Sequence, residues 1–124
     1  MSVASGGCHC GAVRFEVQGQ ARRVLRCNCS ICSMRGGYLH WIVPREHFRL
    51  LTSWADLALY GFGTHRAQHF FCRRCGITSF YHPRSHPEGV SINAHCVDGL
   101  KLSGLEVEAF DGRNWERAAA DLSR

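Results

Sequence analysis

The chain has 124 residues, 45% of them apolar and 20% charged, with a formal net charge of +5. This length and balance describe one folded domain over residues 1–124 and exclude a disordered tail. No apolar run approaches the roughly 20 residues of a membrane span, and the first residues lack the basic and apolar regions of a signal peptide, so the cytoplasm is the expected compartment.

Ala12 to Val17 alternates, with Val13, Phe15 and Val17 on one face and Arg14 and Glu16 on the other. That is the pattern of a half-buried strand. Val24 and Leu25 lead into a cysteine cluster. Tyr38 to Val43 is aromatic and β-branched, a strand ended by Pro44. Phe48 to Leu51 and Leu57 to Tyr60 are shorter strands. Gln68 to Phe71 enters Cys72-Arg73-Arg74-Cys75-Gly76, and Thr78 to Tyr81 leaves it, which is the strand–knuckle–strand form of a zinc ribbon. Residues 83–89 are a loop by composition. Val90 to Asn93 and Leu105 to Phe110 are the last strands. Only the tail reads as helix: Asn114 is a fitting N-cap, and Trp115, Ala118, Ala119 and Leu122 repeat at helical spacing. The expected class is mainly β, with a ribbon-type knuckle and one C-terminal helix.

Eight cysteines dominate the chemistry. Their fraction lies below the roughly 8–10% of short disulfide scaffolds, and C-x-C and C-x-x-C spacings suit a shared metal better than distant bridges. Residues i and i+2 of an extended strand stand roughly 6.5 Å apart, whereas two thiolates on one tetrahedral zinc lie under about 4 Å apart. A chelating C-x-C therefore needs a bent backbone, and Gly6, Gly7 and Gly11 around Cys8 and Cys10 allow one. Cys8 and Cys10 with Cys72 and Cys75 make a closed four-cysteine set, which is the structural type. Cys27, Cys29 and Cys32 form a compact second set. Three ligands with an open position is the catalytic pattern; a second structural site completed by Cys96 or His95 is the competing one. The other histidines, His40 and His69 among them, have no ligand spacing and are expected at the surface or in satisfied core.

Counting seven cysteines as thiolates and adding two divalent ions lowers the net charge to about +2. Arg22, Arg23 and Arg26 cluster, as do Arg73 and Arg74, yet no aromatics interleave with them as a base-stacking groove requires. Nucleic acid is not the expected partner.

The runs Gly6-Gly7-Cys8-His9-Cys10-Gly11-Ala12-Val13-Arg14-Phe15, Cys27-Asn28-Cys29-Ser30-Ile31-Cys32 and Phe71-Cys72-Arg73-Arg74-Cys75-Gly76 resemble the glutathione-dependent formaldehyde-activating family, from Gly6 to about Ala118. The resemblance implies a β-tent fold with two zinc ions, one at Cys8, Cys10, Cys72 and Cys75 and one at Cys27, Cys29 and Cys32. It implies a carbon–sulfur lyase-type activity on glutathione or another small thiol and its formaldehyde adduct. An anionic tripeptide favours an arginine and an amide as contacts, for which Arg84 and Asn93 are the candidates, with His95 beside Cys96. The alternative is a non-catalytic two-zinc module that binds a protein or nucleic acid.

Overall fold

The structure is a computed structural model and describes residues 2–63, 65 and 67–114. Its strands are β1 (Val3–Gly7), β2 (Arg14–Gln18), β3 (Arg23–Cys27), β4 (His40–Pro44), β5 (Phe48–Leu50), β6 (Leu57–Tyr60), β7 (His69–Cys72), β8 (Phe80–Tyr81), β9 (Gly89–Asn93) and β10 (Glu106–Phe110). They form a three-stranded sheet β1-β2-β5, a five-stranded sheet β10-β3-β4-β9-β8 and the ribbon β6-β7. The mainly β expectation holds. The helix expected after Asn114 lies outside the described residues.

The alternation read over Val13, Phe15 and Val17 is the buried face of β2. Phe15 meets Phe48 of β5 at 5.5 Å and Phe80 of β8 at 6.1 Å between ring centroids, which ties the first sheet to the second. β9 is buried at four of its five positions, as a strand flanked by β4 and β8 must be. β10 pairs parallel with β3 and sets Phe110 opposite Cys27.

Two local expectations need correction. Residues Ser30–Arg35 form a helix, α1, entered at Cys29 and ended by Gly36 at φ 77°, a helical stretch that the expectation had not placed there. Six residues are too few to show a helical period. Gly6 and Gly7 also serve a different purpose from the expected bend. They lie in β1, where a Cβ would stand 2.4 Å from the Cys96 carbonyl oxygen and 2.1 Å from that of Val13. They permit close backbone approach, and Gly11, at φ 83°, makes the turn behind Cys10.

Candidate metal centres and cavity

The end of β1 and the β7 knuckle bring four sulfurs together. Cys8 and Cys10 Sγ are 3.7 Å apart, and Cys10 and Cys72 Sγ are 3.6 Å apart. Two thiolates on one tetrahedral ion at about 2.3 Å stand about 3.8 Å apart. Cys75 completes the set, and all four sulfurs lie within 4.8 Å of one another. Backbone N–H groups point at them: Val13 donates to Cys8 Sγ at 3.3 Å and Arg74 to Cys72 Sγ at 3.3 Å. Donors aimed at sulfur favour thiolates, which are the metal-binding form. The donor set fits zinc.

The second group stands at the junction of β3 and α1. Cys27 ends the strand, Cys29 caps the helix, and Cys32 is buried in its first turn. Their sulfurs also lie within 4.8 Å of one another. Hydrogen bonds from Cys27 and then Cys32 pull the Cys29 thiol far down, to about 2, while contact with Cys29 pushes Cys27 up and contacts with Cys27 and then Cys29 push Cys32 up. Three sulfurs this close cannot all ionise unaided, and a divalent cation removes that conflict. Gly112 gives the cluster room, since a Cβ there would stand 2.5 Å from Cys27 Sγ and 2.8 Å from Cys29 Cβ. Asn28, between the first two cysteines, is clamped. It donates from Nδ2 to Asp111 at 3.0 Å, and it accepts from the Arg113 backbone at 3.1 Å and from Arg113 Nε at 2.9 Å.

Cys27, Cys29 and Cys32 face a cavity of about 380 Å³, within the size range of small-ligand sites. Ile42, Phe62 and Phe110 supply apolar wall, and His40, His69, Arg84 and Arg113 supply polar groups. His40 is buried. Its Nε2 lies 3.4 Å from Cys32 Sγ, and its Nδ1 lies 3.0 Å from Ser91 Oγ and 3.1 Å from Tyr81 Oη. Burial brings its pKa down to about 4.

Of the residues expected at the site, Arg84 lines the cavity. Asn93 does not. It accepts from the His95 backbone at 3.1 Å and donates to the Thr78 carbonyl at 3.4 Å, so it holds the turn after β9. His95 is exposed, with Nε2 3.8 Å from where a Gly37 Cβ would stand. Cys96 joins neither group of converging ligands. Burial, with Cys8 and Cys75 nearby, pushes its thiol up to about 11. The turn after β9, which carries Cys96, is held by its contact with β1 through Gly6 and Val97.

Sequence reasoning missed His40, His69 and Arg113. The usable signal for His40 was its place in the same alternating register as Tyr38 and Ile42. No comparable signal existed for Arg113, whose position depends on the pairing of β10 with β3.

The model of a family described as glutathione-dependent formaldehyde-activating enzyme matches residues 3–111. The crystal structure of a Rhodobacter sphaeroides protein, a structural-genomics target, is 33% identical, with a TM-score of 0.73. The match covers 84% of this chain and 99% of that one. With the family's model spanning all seven converging cysteines, the chain belongs to the glutathione-dependent formaldehyde-activating enzyme family.

Proposed function

We propose that the protein is a zinc-dependent enzyme of carbon–sulfur lyase type, on a β-tent scaffold, that joins a small thiol such as glutathione to formaldehyde and reverses the reaction. One observation carries this reading. The four-cysteine group is a complete tetrahedral set, whereas the three-cysteine group is one ligand short and opens on a cavity. Complete sets are structural and incomplete ones are catalytic.

Zinc held by Cys27, Cys29 and Cys32 supplies a Lewis acid that favours the thiolate form of an incoming thiol near neutral pH. The surrounding residues then have distinct tasks. Arg84 and Arg113 offer positive charge to the carboxylates of an anionic tripeptide. Arg113 is already oriented, because its Nε donates to the Asn28 carbonyl. Ile42, Phe62 and Phe110 keep water from the reacting atoms. His40 fixes the Cys32 sulfur through Nε2. In the reaction a sulfur lone pair forms the S–C bond, the carbonyl π pair moves to oxygen, and the proton lost by the thiol ends on that oxygen. Nothing is oxidised or reduced.

The test uses zinc-loaded protein with glutathione and formaldehyde, followed by exchange NMR of the adduct. Adduct formation faster than the spontaneous reaction, lost in Cys29→Ser, is expected. A protein carrying two zinc ions and giving no acceleration sinks the enzyme reading and leaves a two-zinc binding module.

A further inference from the structure

His69 is 3% exposed and lines the same cavity as the three cysteines. Neither of its ring nitrogens has a hydrogen-bond partner among the described residues. The ring itself is firmly held. Tyr81 stacks on it at 4.7 Å with planes 17° apart, and Phe62 stacks at 5.6 Å and 20°. Its backbone is paired opposite Tyr60 in the β6-β7 ribbon. Aromatic stacking needs only a flat ring, which phenylalanine supplies without polar atoms. A buried polar group without a partner is destabilising, and buried polar atoms are nearly always paired. His40 shows the contrast, because both of its nitrogens have partners.

Burial, helped by the positive charge of Arg35, holds the His69 pKa at about 4. The neutral ring presents one N–H and one lone pair. That pair of groups suits a carbonyl or hydroxyl oxygen. A carboxylate is better served by Arg84 and Arg113 on the same wall. The cavity thus has a sulfur end, a carboxylate side and one neutral hydrogen-bonding group still to be assigned.

We propose that His69 binds the oxygen of the one-carbon electrophile and that its N–H stabilises the charge growing on that oxygen as the S–C bond forms. This rests on the thiol–aldehyde reading above. A neutral imidazole in this role acts as an electrophile and gives up no net proton. It sees no charge in the bound thiol, so it acts on turnover and not on thiol affinity.

Two variants and one spectrum test it. His69→Phe keeps the stacked ring and removes both nitrogens; His69→Gln keeps a donor and an acceptor. With both zinc ions retained, His69→Phe is expected to bind glutathione within about twofold of wild type and to turn over roughly 10²–10³-fold more slowly. His69→Gln is expected to recover part of the loss. Independently of turnover, the ¹⁵N resonances of the His69 ring in the wild-type protein are expected to shift with glutathione plus formaldehyde and to stay in place with glutathione alone. If wild type turns over and His69→Phe matches it, the role of His69 is overturned and the enzyme reading stands. If wild type gives no turnover while the adduct still moves the His69 resonances, the enzyme reading fails and the oxygen contact stands. If neither occurs, both are overturned.

Discussion

His40 Nε2 lies 3.4 Å from Cys32 Sγ, and this contact fixes the proton arrangement of the wall behind the three-cysteine centre. A thiolate at Cys32 only accepts, so Nε2 carries the hydrogen. Nδ1 then accepts, and the Tyr81 hydroxyl at 3.1 Å is its donor. The Tyr38 hydroxyl donates to the Ser91 carbonyl at 2.8 Å and closes the network. Hydrogen-bonded outer partners typically account for 10–100-fold in metal affinity. His40→Phe should weaken zinc at this centre by that factor in a chelator competition and leave the four-cysteine centre as it was. Equal affinity at both centres before and after the change would show that His40 is only packing.

Both buried histidines give the protein an acid-side weakness. His40 and His69 are brought from an ordinary 6.5 to about 4 by burial. They stay neutral in the fold while the unfolded chain takes up protons below about 6.5. Their stabilising effect is complete above pH 6.5 and is lost as the pH falls towards 4. The melting temperature should therefore drop over that interval, and it should drop less in His69→Phe. Parallel curves for the two proteins would contradict the neutral, buried state of His69.

Gly112→Ala places a methyl group 2.5 Å from Cys27 Sγ and 2.8 Å from Cys29 Cβ. Neither atom can yield without leaving the cluster, and overpacking of this kind costs about 1–3 kcal/mol. The expected result is a folded protein that holds one zinc per chain instead of two. Metal analysis reads this directly, and two tightly held ions would refute the crowding.

Cys72→Ala removes a ligand that joins the ribbon to the N-terminal strand. Structural zinc contributes on the order of 10–16 kcal/mol in small modules, against about 5–15 kcal/mol for a whole domain. Loss of cooperative unfolding is expected by calorimetry. A variant melting like wild type would mean that the four-cysteine centre is not structural.

Cys96→Ser should keep both zinc ions and the wild-type affinity for glutathione, because Cys96 belongs to neither group of converging sulfurs. With its thiol raised to about 11, Cys96 should also alkylate slowly at pH 8 in the folded protein. Loss of one zinc would restore it as a ligand.

What was legible in the chain follows the range of the interactions. Cys27, Cys29 and Cys32, like Cys72 and Cys75, converge across two or three residues, so spacing alone groups them. Val13, Phe15 and Val17 declare their strand by alternation. β1 does not, since Val3-Ala4-Ser5-Gly6-Gly7 has no alternating pattern and owes its strand to pairing with β2. The cavity was the least legible part. Phe62, Arg84, Phe110 and Arg113 come from separate segments, and only the packing of β10 on β3 and of the ribbon on the second sheet brings them to one wall. Asn93 and His95 looked eligible by chemistry but are engaged in or carried by the turn after β9.

The parallel pairing of β10 with β3 has a consequence for how the molecule matures. All four cysteines of the first group have been made once Cys75 is added. The three cysteines of the second are made earlier than that, yet Phe110, Gly112 and Arg113, which cover them, come at the end of the described chain. At about 5–20 residues per second, the interval is on the order of a few seconds. During that time the three-cysteine group lacks this cover, although β3, which carries Cys27, can already pair with β4. Under the two-zinc reading, the four-cysteine group is therefore expected to fill first, and the three-cysteine group is covered only once β10 has docked on β3.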